Sequence, residues 1–129
     1  FLGLYREVVD TAEALGVRLE RIAANPRLLY LPERAGLMRR YLKDKLVQVI
    51  GRKYSRLKSS SLQSLERGRP TEIDFLNGYV VEQARQAGIE VPLNTTLVRL
   101  IKEIEAGTRP VQKANMDELL RALGACERQ

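Results

Sequence analysis

An all-α, multi-helix fold is the class that this 129-residue sequence predicts, and three observations carry the prediction. Twenty Leu and eleven Ala outnumber ten Val and six Ile. Straight side chains keep their rotamer freedom in a helix, whereas β-branched ones lose it, so the balance favours helix over strand. Apolar residues recur at steps of three and four in one segment after another, and no period-two run or two-residue hairpin signal competes with them. The 44% hydrophobic and 29% charged composition is that of one globular domain. A chain of this length can bury a core of its own without disulfide or metal.

The first helix places Leu4, Val8, Ala12 and Leu15 on one stripe and ends at Gly16-Val17. The same punctuation returns at Gly88-Ile89, where glycine can take the left-handed cap conformation and an apolar residue folds back on the last turn. Asn25-Pro26 and Leu31-Pro32 break the following stretch into short pieces, because proline disfavours helix in the residue before it. From about Glu33 to Lys53, the spacing of Met38, Leu42, Leu46, Val49 and Ile50 predicts a long helix. Ser59-Ser60-Ser61 then reads as a loop or cap. Thr71 can cap the next helix with Asp74 as a weak capping-box acid, and Ile73, Leu76, Val80 and Ala84 form its apolar stripe up to Gly88. Another helix begins at Pro92-Leu93-Asn94, capped by Asn94 or Thr95, with Leu97, Leu100, Ile101 and Ile104 turned inward up to Gly107. A tail helix from Asn115 carries Met116, Leu119, Leu120 and Leu123 and is expected to stop at Gly124.

Composition excludes several chemistries. There is no His, which removes the commonest general base and metal ligand, and the single Cys126 can form neither an internal disulfide nor a zinc site. Metal ligation is therefore not expected, and a reducing cytoplasm is the expected compartment. No segment approaches the length of a membrane span. The chain opens on Phe1-Leu2-Gly3-Leu4 rather than on Met or a signal peptide, so it reads as a fragment of something longer.

The net charge of +6 is unevenly distributed. Arg34, Arg39, Arg40, Lys43, Lys45, Arg52, Lys53, Arg56 and Lys58 face only Asp44 as counter-charge within their segment. The segment could attract an anion, whether nucleic acid, a phosphate or a carboxylate substrate, but it reads first as a solvated helix face. Tyr41 and Tyr54 pad that helix rather than form a stacking ladder. Gly68 marks a turn, and no phosphate loop or nucleophile elbow is present. Glu72 and Asp74, two residues apart at a helix start, point in different directions and cannot act as a carboxylate pair; complementing the helix terminus is their default role. The serines at 59 to 61 have no activating base nearby.

The stretch from Lys58 to Gly78, Lys-Ser-Ser-Ser-Leu-Gln-Ser-Leu-Glu-Arg-Gly-Arg-Pro-Thr-Glu-Ile-Asp-Phe-Leu-Asn-Gly, closely resembles the signature of the C-terminal domain of the ketopantoate reductase family. Its Thr-Glu-Ile-Asp and Leu-Asn-Gly elements are the most specific. Gly88-Ile89-Glu90-Val91-Pro92-Leu93-Asn94-Thr95 is similar to a second family sequence between the last two long helices, and Glu7-Val8-Val9 through Val17 to the helix before a basic variable stretch. The resemblance implies a single helical domain over residues 1–129, of the 6-phosphogluconate-dehydrogenase-like type, taken from a two-domain enzyme without its Rossmann domain.

The implied function is reduction of 2-dehydropantoate or a related 2-oxo acid to the 2-hydroxy acid by NADPH, held mainly by the absent N-terminal domain. By position, Glu72 matches the family glutamate beside cofactor and substrate, in a supporting role. Ser60 matches the serine that hydrogen-bonds the substrate carboxylate. The family's acid lysine lies upstream of this chain, and neither Lys43 nor Lys45 can replace it, so the chain alone is expected to be inactive. Ser61 and Ser64 stand where the family often has Met and Asp, and Leu57 where some members have a substrate-contacting Asn. The implied partners are the Rossmann domain and a small 2-oxo acid. The apolar surface left by an absent domain also gives the chain a route to a homodimer. The rival reading is a non-catalytic basic module that binds nucleic acid or an acidic partner.

Overall fold

The computed structural model describes residues 1–20, 30, 36–54 and 59–126. The proline breaks at Asn25-Pro26 and Leu31-Pro32 lie outside the described residues, as do Arg34, Arg56, Leu57 and Lys58 and the side chains of Ile50, Lys53, Tyr54 and Cys126. In chain order the elements are α1 (Leu2–Ala14), α2 (Leu37–Tyr54), α3 (Ser60–Glu66), a π-helix (Asp74–Gly78), α4 (Tyr79–Gln86), α5 (Pro92–Glu105) and α6 (Asn115–Cys126). Among the described residues there is no strand, as the composition predicts. No described helix is long and apolar enough to cross a membrane.

Helix α5 is the central element, packing on α1, the π-helix, α4 and α6. Val9, Ile73, Ala84, Val91, Leu93, Leu100 and Leu119 are its buried apolar surroundings and its own contribution to them. Fit is tight where α1 crosses: a Cβ on Gly3 would lie 2.6 Å from Leu93 Cδ1 and 3.1 Å from Leu123 Cδ1, so a larger residue there would require the Leu93 side chain to shift. Because α1 packs against both α4 and α5, burial is divided between two faces. Glu7, Val9 and Thr11 are the buried residues, while Leu15 of the expected stripe is exposed.

Two expected helix ends form as read. Gly16 (φ 69°) and Gly88 (φ 69°) take the left-handed region, and the following Val17 and Ile89 amides donate to the carbonyls of Ala12 and Ala84. The expected stop at Gly124 does not form, because α6 continues to Cys126. Glycine is tolerated inside a helix at a cost of about 1 kcal/mol, and here α6 bears that cost. Met38, Leu42, Leu46 and Val49 of α2 are exposed, so the described part of the expected stripe is uncovered.

Candidate functional site

The region that follows α3 is organised by α5. Thr71 donates its backbone N–H (2.7 Å) and its hydroxyl (2.8 Å) to Glu105 Oε1 at the end of α5. Its Oγ1 accepts the Ile73 amide at 3.2 Å, a local turn bond, so Thr71 is not the expected cap of a regular α-helix. Asp74 is not a capping-box acid either, because Lys102 Nζ holds its Oδ2 at 2.7 Å and lies 3.3 Å from Glu105 Oε2. The side chain of Ile73 is buried between these anchors.

The chain then widens into a π-turn, with the Gly78 amide reaching the Ile73 carbonyl five residues back at 2.9 Å. A Cβ on Gly78 would sit 3.4 Å from that same carbonyl oxygen. Single π-turns inside α-helices are frequent at functional sites. The widened turn also explains why Leu76 leaves the expected stripe: it is exposed, with Phe75 and Tyr79 beside it. Asn77, the polar residue of the Leu-Asn-Gly element, donates from Nδ2 to Asn94 Oδ1 at 2.8 Å.

Asn94 belongs to a buried network that the sequence reading missed. It does not cap α5, which begins at Pro92 after Val91 without a capping side chain of its own. The acceptor arrives instead from α1. Glu7 Oε1 takes the Leu93 amide, and Oε2 takes the Asn94 amide, both at 2.8 Å; Oε2 also takes Asn94 Nδ2 at 2.6 Å. Asn94 Nδ2 further donates to the Leu4 carbonyl at 3.2 Å. Glu7 and Asn94 are almost fully buried. A carboxylate set against the first free amides of a helix satisfies orphan donors and complements the positive helix end. The available sequence signal was negative: a proline at the first helical position preceded by Val91, a residue unable to cap, requires an acceptor from elsewhere.

The two candidate residues, Glu72 and Ser60, are both exposed. Every polar side chain of Thr71, Asp74 and Asn77 is committed to α5, whereas the Glu72 carboxylate is exposed and has no partner among the described residues. Ser60 is exposed as the first residue of α3. The cap is Ser59, whose Oγ accepts the Leu62 amide at 3.1 Å, which leaves the Ser60 hydroxyl outside the capping bond. No hydrogen bond among the described residues joins Ser60 to Glu72.

Electrostatically, burial alone would raise the Glu105 pKa, but the Thr71 amide and hydroxyl and the Lys102 ammonium outweigh it and hold the group below the ordinary glutamate value. Lys102 is raised, first by its bond to Asp74 and then by Glu105. What this surface offers chemically is an unpaired carboxylate acceptor on a firmly anchored turn, beside exposed apolar side chains.

The family model described as ketopantoate reductase PanE/ApbA C terminal matches residues 1–105. The 2-dehydropantoate 2-reductase of Archaeoglobus fulgidus is 44% identical over 50 residues, which are 39% of this chain and 17% of that protein. The enzyme of the same name from Vibrio cholerae is 45% identical over 64 residues, 50% of this chain and 21% of that protein. That from Escherichia coli O157:H7 is 42% identical over 65 residues, again 50% of this chain and 21% of that protein. The matched segments thus span about a fifth of these relatives' own length. No solved structure matches the chain.

Proposed function

Because this chain belongs to the ketopantoate reductase C-terminal family, we propose that it is the helical, substrate-side domain of a reductase that converts 2-dehydropantoate or a related 2-oxo acid to the 2-hydroxy acid. The observation that carries the reading is the division of labour within the signature. Thr71, Asp74 and Asn77 are committed to α5, while the Glu72 carboxylate between them is exposed without a hydrogen-bond or ion-pair partner among the described residues. A charged side chain on an anchored turn that no hydrogen bond or ion pair holds among the described residues suits ligand binding better than stability.

The nicotinamide cofactor, NADPH in this reading, supplies the hydride when bound. The residues present fit a minor share of its binding: an unpaired carboxylate can accept from a hydroxyl or amide donor but repels phosphate, so the phosphates belong to the N-terminal Rossmann domain. Glu72 accepts a hydrogen bond from cofactor or substrate and fixes its orientation. Ser60 donates its hydroxyl proton to an oxygen of the substrate carboxylate. Phe75, Leu76 and Tyr79, exposed beside Glu72, are covered when the two domains close and exclude water from the cleft. The proton added at the substrate oxygen comes from a lysine outside this chain, which leaves the isolated chain inactive.

The reaction is a step of pantothenate biosynthesis, and its setting is the cytoplasm. The basic residues of α2 raise the local concentration of an anionic oxo acid, which makes the rate at low substrate sensitive to salt. The apolar surface that the absent domain would cover, Phe75, Leu76 and Tyr79 in this reading, gives the isolated chain a route to a homodimer. The alternative of a nucleic-acid-binding module is not supported: the relatives matched carry a reductase name. In the full-length polypeptide, Glu72→Ala should cut NADPH-dependent turnover of ketopantoate at least about 100-fold without loss of fold, as expected when one charge-orienting contact is removed. Unchanged turnover would overturn the assignment. Ser60→Ala should act mainly on the KM for the oxo acid.

A further inference from the structure

We propose that Glu105 is a positioning residue that acts through Glu72, an inference that rests on the functional reading above. The Glu72 side chain has no partner of its own among the described residues, so its location is set entirely by the backbone on either side. That backbone is fixed from one place. Glu105 Oε1 takes both donors of Thr71 (2.7 and 2.8 Å), the residue immediately before Glu72. Ile73, immediately after it, is buried and donates to Thr71 Oγ1. Asp74, one residue further, is held by Lys102, which also faces Glu105.

Helix stability does not explain a carboxylate in this position. Glu105 is the last residue of α5, where the negative end of the helix dipole disfavours an anion. Its side chain is only 12% exposed, which adds a desolvation cost. Both disadvantages are offset by what the carboxylate holds, and what it holds is the turn that carries Glu72. No hydrogen bond or ion pair among the described residues joins Glu105 to Glu72, so its influence on turnover runs through geometry. A displacement of about 1 Å at an orienting group can cost on the order of 100-fold in rate.

The test is a double-mutant cycle in the full-length reductase, with kcat and KM measured for Glu105→Ala, Glu72→Ala and the pair, and Glu105→Gln as the conservative variant. The expected result is a fall in kcat of about 10- to 100-fold for Glu105→Ala, with the KM for the oxo acid changed less than kcat. That loss should shrink to less than about twofold when Glu72 is already Ala, because residues acting on one function are not additive. Glu105→Gln keeps an acceptor for Thr71 and should recover most of the activity. An equal loss in both backgrounds, or no loss, would overturn the proposal. Thr71→Val removes the hydroxyl bond to Glu105, and with it the Oγ1 that accepts the Ile73 amide, with little change of shape; should Glu105→Ala fail to fold, a smaller loss for Thr71→Val confined to the Glu72 background supports the proposal, and an equal loss in both refutes it. If Glu72→Ala is itself harmless, the reading of Glu72 fails first; if it is harmful while Glu105→Ala is additive with it, only the positioning role fails.

Discussion

The π-helix and α2 both turn apolar side chains to solvent, yet they are attached to the molecule in opposite ways. Phe75, Leu76 and Tyr79 protrude from a segment tied to α5 by Glu105, Lys102 and Asn94. Met38, Leu42 and Val49 protrude from a helix that reaches the core through Lys43 Nζ on the Tyr30 carbonyl (2.8 Å) and the Tyr30 hydroxyl on Asp10 (2.9 Å). Exposure is thus common to both regions, and the bonds that tie each to the core among the described residues separate them. A binding surface needs its groups held in place before the ligand arrives, a requirement that the anchored π-helix meets among the described residues.

The strongest way to break this contrast is to remove the support under α5. Glu7→Leu leaves the Leu93 and Asn94 amides and Asn94 Nδ2 without their carboxylate acceptor in a buried place, so urea unfolding should show a loss of about 3–5 kcal/mol. A loss below about 1 kcal/mol would mean that water replaces the carboxylate at little cost.

Acid should act next, and on the same framework. Glu105 is held below its ordinary value in the fold. Its contribution is complete above the unfolded glutamate value and is lost as pH falls through the lower folded one. Glu103 and Glu118 are shifted in the same direction, first by Arg99. The melting temperature should therefore decline below the normal carboxylate range, less steeply in Glu105→Gln than in the parent; identical profiles would remove Glu105 from the account.

A smaller effect is expected where α6 joins α5. Arg99 and Arg109 each bridge Glu103 and Glu118 at 2.6 to 3.0 Å. This is a partly exposed cluster, so Glu118→Ala should lower stability slightly at low salt and by less as salt is added. The smallest effect belongs to α2: Leu42→Gln should change stability by no more than about 0.5 kcal/mol. A large loss would show that the α2 stripe is covered in the working molecule and would erase half of the contrast.

The helices were legible in the sequence because periodicity and glycine termini are local signals. Gly16 and Gly88 end their helices as read, and α5 starts at the proline that marks it. The errors arose where a partner lies far along the chain. Asn94 looks like a cap, but the cap is supplied by Glu7, 87 residues away. Asp74 looks like a capping acid until Lys102, 28 residues on, claims it. Leu76 left its stripe because the backbone changed period at the π-turn, which no apolar spacing encodes. Of the candidate site, Glu72 and Ser60 were legible only through the family signature, and the anchors around Glu72 were not, because Glu105 reads as an ordinary acid at the end of an amphipathic helix.

The bond from Glu7 to the start of α5 also joins the two ends of the folding problem. Its partners lie 86 and 87 residues apart, so the Leu93 and Asn94 amides gain this acceptor only once α1 has docked, whereas the first backbone bond of α5, from the Thr95 amide to the Val91 carbonyl, is local. Contacts of such long sequence separation form slowly, after most of the loop entropy has been lost. The Leu93 and Asn94 amides consequently serve as built-in reporters. In native-state hydrogen exchange they should open together with α1 as one cooperative unit, and the same opening loosens Asn94 from Asn77 and with it the π-turn. A transient departure of the first helix would therefore be felt at the far end of the signature before the rest of the core gave way.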